Sequence, residues 1–414
     1  MVQHYFRTWV ALLFGYLIAA SLCAPTGWAQ QSIPDEVLDI FDDRCAFSGC
    51  HVGTSAPKGV DLTEDFVLAS LVSQPSSDNS KLILVKPKDP VNSYLIMKLR
   101  GSTSIKGERM PKSGDPLSEQ QINTIEAWIN SLPANMKVET PQREYAEAFV
   151  GLSLATLPTP ETLEQGLFSY RIAHRWRGEV GDGFSELFGL DAGAGMLTQL
   201  SFRLAENLMF TVARTSENAT FEFAGKWRVL REKTDGSVPI SAAVVGGLDW
   251  ATRKTLTGVV EELNRSDSER FHWFGQVALS KQLGERFSVL LVPGILINGN
   301  AQIEDEDAII TLGFAGKFMI IKDFSIFVEG VPILSGDEGA EVVAGRRLEG
   351  NELVYNDAFT IGLEKRVGGH VFHVYITNSL GLTTNQYMSG ANLDFTDGDF
   401  RLGFNIYRTL RFPF

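Results

Sequence analysis

The stretch Phe168-Ser169-Tyr170-Arg171-Ile172-Ala173-His174-Arg175-Trp176 alternates without a break. Phe168, Tyr170, Ile172, His174 and Trp176 share one parity, and Ser169, Arg171, Ala173 and Arg175 the other. Successive side chains of a strand point to opposite faces, so this stretch predicts a β-strand with one apolar, aromatic face and one polar, basic face. The pattern recurs. Phe221, Phe223, Gly225, Trp227 and Val229 alternate with Glu222, Ala224, Lys226 and Arg228, and Phe271, Trp273, Gly275, Val277 and Leu279 with His272, Phe274, Gln276 and Ala278. Further strands are expected at 197–204, 207–214, 238–249, 286–297, 312–320, 324–328, 357–365, 372–376 and 400–406. About twelve antiparallel strands of roughly ten residues, apolar on one face, describe a barrel that spans a membrane. Such a sheet must close, because an open edge would leave backbone groups unpaired in lipid. A large soluble sandwich would bury the same apolar faces. Against it stand the paired charges on the opposite faces, Arg171 with Arg175 and Lys226 with Arg228.

Composition agrees with an exported, β-rich chain. Among 414 residues there are 39 glycines and 27 phenylalanines, and the formal charge is −13. An acidic balance without a basic cluster argues against nucleic-acid binding. Residues 1–29 read as a signal peptide: Arg7 is the positive element, Trp9 to Leu22 the apolar one, and Gly27-Trp28-Ala29 the cleavage site. An uncleaved anchor is the alternative, but the apolar run is short for a span. Leu22 is too large to precede a lipidated Cys23. Removal of the leader leaves Cys45 and Cys50 as the mature cysteines.

Those two lie in Cys45-Ala-Phe-Ser-Gly-Cys50-His51. Paired cysteines followed at once by histidine suit covalent c-type haem, with the thiols bound to the vinyl groups and the imidazole on the iron. Four residues separate the cysteines where two are usual. The same residues also admit a Cys45–Cys50 disulfide with His51 a bystander. Residues 33–44 predict a helix with Val37, Ile40 and Phe41 on one face, delivering Cys45 to the motif. Further on, Arg109-Met110-Pro111 precedes a second helix opened by Ser118 and Gln121 as a capping box, with Ile122, Ile125, Ile129 and Leu132 in one stripe.

The two halves together resemble a class I monohaem cytochrome c. The resemblance implies one covalent haem c, held by Cys45, Cys50 and His51. It implies His51 and Met110 as the iron ligands, with Met97 a competitor and Met136 more distant. A closed coordination sphere suits one-electron transfer better than catalysis. The expected fold is therefore multidomain: a small all-α cytochrome c domain at 30–133, a linker at 134–165 containing a short strand at Ala148 to Leu157, and an all-β antiparallel barrel at 166–414.

The barrel half also resembles a family of uncharacterised membrane-bound β-barrels, through Tyr170-Arg-Ile-Ala-His174-Arg175, Phe184-Ser-Glu-Leu-Phe-Gly-Leu-Asp191 and Arg401-Leu-Gly-Phe-Asn-Ile-Tyr-Arg408. The last strand ends on Phe414, which is similar to the signal read by the assembly machinery of Gram-negative outer membranes. The layout is similar to porin–cytochrome fusions. These likenesses imply an outer-membrane location, with the haem domain periplasmic or in the barrel mouth. They imply lipid as one partner and a redox protein or extracellular electron donor or acceptor as the other. A transport or binding barrel with a haem-based sensor, and a haem-free structural barrel, are the alternatives. His174 is expected at the membrane interface, and His272, His370 and His373 in the lumen or turns. Glu304 to Asp307 reads as a solvated loop, and Gly178 to Gly195 as a long barrel connection. No zinc, phosphate-loop or nucleophile motif is found.

Overall fold

The computed structural model describes residues 33–411, apart from 47–49, 54–55, 113–114, 254, 257–262, 265–269, 298–307, 337–346, 350–351, 355 and 368–369. The expected leader, the acidic run Glu304 to Asp307 and the terminal Phe412 and Phe414 lie outside the described residues.

Twelve long strands form the C-terminal body. They are β1 (Leu167–Trp176), β2 (Ala194–Ala205), β3 (Leu208–Thr215), β4 (Thr220–Leu230), β5 (Ser241–Ala251) and β6 (Phe271–Leu283). There follow β7 (Phe287–Ile297), β8 (Ile309–Ile321), β9 (Phe324–Val331), β10 (Ala358–Val367), β11 (His370–Thr377) and β12 (Arg401–Arg411). Each pairs antiparallel with its neighbours in sequence, and β12 returns to β1 with Leu167 opposite Arg411. Twelve pairings among twelve strands leave no edge, which is the condition for a sheet in lipid.

The alternation seen in the sequence sets the two faces. On β4 the outward Trp227 is 55% exposed, whereas its inward neighbour Lys226 is 6% exposed. Outward aromatics gather at both ends of the strands. Phe221, Trp250 and Phe271 stack in sequence at one end, with centroids 6.1 Å apart in both pairs. Phe168 stacks on Phe202 at the other end, at 6.4 Å. Two aromatic belts separated by an aliphatic band match the two interfaces of a membrane. His174 faces outward in the upper belt, 4.7 Å from Phe404, and His272 and His373 face inward.

One end of the barrel carries tight turns, at 206–207, 284–286 and 322–323, together with both ends of the barrel's chain. The other end carries, among the described residues, the long connections 177–193 and 378–400. Short turns mark the periplasmic end and long loops the external one.

The N-terminal unit packs at the short-turn end. Its helices are α1 (Asp35–Arg44), α2 (Val67–Leu71), α3 (Tyr94–Arg100) and α4 (Glu119–Ser131). Ser118 caps α4 by accepting from the Gln121 amide at 3.2 Å, and the Gln121 side chain accepts from the Ser118 amide at 2.9 Å. The expected stripe Ile122, Ile125, Ile129 and Leu132 is buried, and Trp128 joins it edge-on to Phe41 of α1 at 6.2 Å. This contact ties the first and last helices of the unit. Phe41→Ala removes a fully buried ring and is expected to cost about 3–5 kcal/mol. Hydrogen exchange should show it as lost protection across Glu119–Ser131, with the barrel amides unchanged.

Residues 148–163, expected as part of a linker with a short strand, form no strand and lie inside the barrel. Ala148, Phe149, Leu154, Ala155 and Leu157 join the same buried cluster as wall residues Val292 and Phe327. A second segment, 378–391, enters from the opposite end and carries α5 (Thr384–Met388), all of it buried.

Candidate functional site

Two places concentrate chemistry. The first is the end of α1. The Cys45 amide closes the helix on Phe41 O at 2.7 Å, and the His51 amide turns back to Cys45 O at 3.0 Å. His51 Nδ1 donates to the carbonyl of Val60 at 2.9 Å. That bond fixes the tautomer and leaves Nε2 as the free lone pair. Burial lowers the His51 pKa, so the ring stays neutral. Burial also pushes the Cys45 thiol up to about 12 and raises Cys50. Both sulfurs are free thiols, with no bond between them. Phe47, Ser48 and Gly49, between them, lie outside the described residues.

The residues fit a c-type haem in their donor set: two unbonded thiols beside one oriented, neutral imidazole. Met110 packs against the apolar cluster that contains Cys45, as does Met136. Met97 is not among that cluster's members, and its sulfur faces the Ser104 hydroxyl at 3.9 Å. Among the described residues no three His, Cys, Asp or Glu side chains group as a metal site.

The second place is the lumen. A strand's backbone is used up in the barrel ladder, so chain inside the lumen must bond to wall side chains. Lys226 Nζ donates to the carbonyls of Leu152, Thr159 and Glu161 at 2.6, 2.8 and 3.1 Å. Arg171 and Asn405 donate to Ala155 O at 2.7 and 3.0 Å, and the Tyr407 hydroxyl to Leu154 O at 2.7 Å. Thr156 donates to the Glu329 carboxylate. The second segment is held in the same way. The amides of Thr384 and Asn385 donate to Glu222 and Asp249 at 2.6 and 3.1 Å, two carboxylates that face each other across β4 and β5. Arg175 donates to the carbonyls of Ser379 and Gly381, and Tyr387 to Gln276 at 3.0 Å. Both inner segments are therefore held to wall side chains by hydrogen bonds, and they occupy the lumen.

Lys226→Met keeps the stem of the side chain and removes three donor contacts. Loss of charge-assisted bonds leaves carbonyls unpaired and is expected to loosen the segment by about 3 kcal/mol. Limited proteolysis between Ala148 and Glu161 should then become faster in folded protein.

Sequence reasoning found neither inner segment, yet both carry a signal. No charged residue occurs from Ala148 to Pro160 or from Thr377 to Leu393, while the facing wall positions are rich in Arg, Lys, Glu and Asp.

Residues 149–410 match the family described as Membrane bound beta barrel domain, DUF5777. The chain belongs to that family. It is an outer-membrane β-barrel, and the matched span leaves the N-terminal helical unit outside. No curated protein matches. Solved structures similar to it include a porin and an outer membrane channel. The KdgM porin is 10% identical with a TM-score of 0.34, over 59% of this chain and 99% of its own. The COG4313 outer membrane channel from Pseudomonas putida F1 is 14% identical with a TM-score of 0.34, over 61% of this chain and 98% of its own. LpxR from Salmonella typhimurium is 11% identical with a TM-score of 0.28, over 59% of this chain and 100% of its own. Similarity of this size carries no functional inference.

Proposed function

We propose that this outer-membrane barrel carries a covalent c-type haem at its periplasmic mouth and exchanges single electrons there with a soluble redox partner. The observation that supports the reading is the His51 Nδ1 bond to Val60 O at 2.9 Å, which leaves Nε2 of a neutral imidazole free in the same stretch of chain as two unbonded thiols. Cys45 and Cys50 would hold the group, and His51 and Met110 would face its iron. Bound there, the group would supply a reversible one-electron couple, and a thioether ligand would raise its potential. The unit is small, and two thioether bonds would retain a cofactor that burial alone would not. The barrel then serves as anchor, since segments 148–163 and 378–391 fill its lumen.

The test is a pyridine haemochrome spectrum of protein made in a host with c-type maturation and extracted under denaturing conditions. A c-type spectrum that stays with the polypeptide supports the reading. Haem that is absent or extractable overturns it.

A second reading is a transport or binding barrel, with the N-terminal unit as a redox or ligand sensor or as a haem-free appendage. The family match favours it, because the matched family is described by its membrane-bound barrel. Ready binding of carbon monoxide by the reduced protein would move the choice to a sensor. Met110→Ala is expected to keep haem attached and to lower its potential; the same change from Met97→Ala would reassign the ligand.

A further inference from the structure

His51 is held by one short stretch of chain. Its Nδ1 donates to Val60 O at 2.9 Å, and its own carbonyl accepts from the Leu62 amide at 2.8 Å. The residue between those two anchors is Asp61, only 3% exposed. We propose that Asp61 and Arg143 are a positioning pair for His51, through which the chain entering the barrel sets the orientation of the imidazole. The use of that orientation rests on the haem reading above; the orientation itself does not.

A buried carboxylate needs compensation for the water it has lost. Asp61 Oδ1 accepts from the amide and the hydroxyl of Thr63 at 3.2 and 2.9 Å, and both donors are neutral. Among the described residues the one cation paired with Asp61 is Arg143, whose Nη2 meets Oδ2 at 2.6 Å. The same guanidinium covers the Phe66 ring at 4.2 Å. The countercharge therefore comes from outside the helical unit, 82 residues further along the chain.

The backbone of Arg143 and its neighbours belongs to the barrel. Arg143 O accepts from the Thr234 hydroxyl, and Glu144 O from the Thr234 amide at 3.0 Å. Tyr145 bridges antiparallel to Lys233, and the Ala146 amide donates to Glu232 O at 3.0 Å. Residues 232–234 lie in the connection between β4 and β5. Arg143 thus starts from a backbone fixed on the barrel and ends on a carboxylate flanked by both anchors of His51. A partner on the second ring nitrogen orients a ligand histidine only if that partner is itself held in place. Here the partner is Val60 O, and its neighbour Asp61 is what Arg143 holds. Without Arg143 the carboxylate is left buried and unpaired. Turning it out to water would draw Val60 and Leu62 away from His51.

The test uses the full-length chain, made haem-free in a host without c-type maturation, labelled at its histidine nitrogens and studied in detergent by NMR above the titration range of the ring. The nitrogen shifts report which ring atom carries the proton, and His51→Ala assigns the signal. The parent should show His51 protonated on Nδ1. Arg143→Gln should shift it towards the Nε2-protonated form that imidazole favours in water. Adding Asp61→Asn to Arg143→Gln should restore Nδ1 protonation, because a neutral amide can stay buried. Recovery on changing a second residue separates the charge pair from a mere loss of packing. His174, His272, His370 and His373 should keep their signals in each variant, and heat-modifiable migration checks that the barrel has folded. An unshifted His51 in Arg143→Gln, or a double variant as shifted as the single one, overturns the proposal. A parent that takes up no haem in a maturing host overturns the haem reading and leaves this result standing.

Discussion

His51→Ala is expected to yield an exported, folded barrel that carries no covalent haem. In the proposed reading Cys45, Cys50 and His51 would hold the group together, so loss of the imidazole would prevent attachment. The His51 amide bonds to Cys45 O at 3.0 Å, so the histidine and the first cysteine move together. The carbonyl of Val60 orients the ring, and the His51 carbonyl accepts from Leu62 at 2.8 Å. Alanine keeps these backbone bonds and deletes only the ring. The barrel should therefore be unaffected, and its heat-modifiable migration gives the control. Haem stain on a denaturing gel is the readout. The parent should stain, and His51→Ala should not. A normal yield in the variant would remove the imidazole from the argument. A parent without stain would leave a haem-free unit on a membrane barrel.

Much of the barrel was legible because its physics is local. The side-chain period of 2 and the lipid outside force alternation at every strand, so Phe168 to Trp176 alone defines inside and outside. The N-terminal helices were legible for similar reasons, since Ser118 with Gln121 and the stripe from Ile122 to Leu132 act within one helix. What the sequence concealed is non-local. Ala148 to Leu157 reads as an apolar strand by composition, but the closed ladder of twelve strands offers it no edge to pair with. It enters the lumen as irregular chain, and Lys226, Arg171 and Asn405 supply its bonds. Pairing a lysine on β4 with carbonyls some 70 residues earlier leaves no periodic trace.

Removing both inner segments is expected to turn a silent barrel into a conducting one. Barrel diameter grows with strand number; eight strands are just filled by their own side chains, and twelve leave room that something else must occupy. Here the filling is Ala148–Leu163 from one end and Asn378–Ala391 from the other. Leu157 reaches the wall at Gly313 and Met388 at Gly294, where an added Cβ would meet them at 2.6 and 2.9 Å. The intact protein in a planar bilayer should show no steps. Deleting either segment alone should give small or flickering steps, because the other still narrows the path. Replacing 379–391 by a short glycine linker and starting the barrel after Leu163 should give stable conductance. The exposed wall would carry Arg171, Arg175, Lys226, Lys317 and Arg401 among its cations, with Glu222, Asp249 and Glu329 opposed to them. Salt-gradient reversal potentials would read which set dominates. Steady conductance from the intact protein would show that the segments leave the lumen in the membrane. If that conductance appeared only on reduction, the transport reading would displace the anchored electron carrier, because the N-terminal unit would then be acting on the barrel rather than resting upon it.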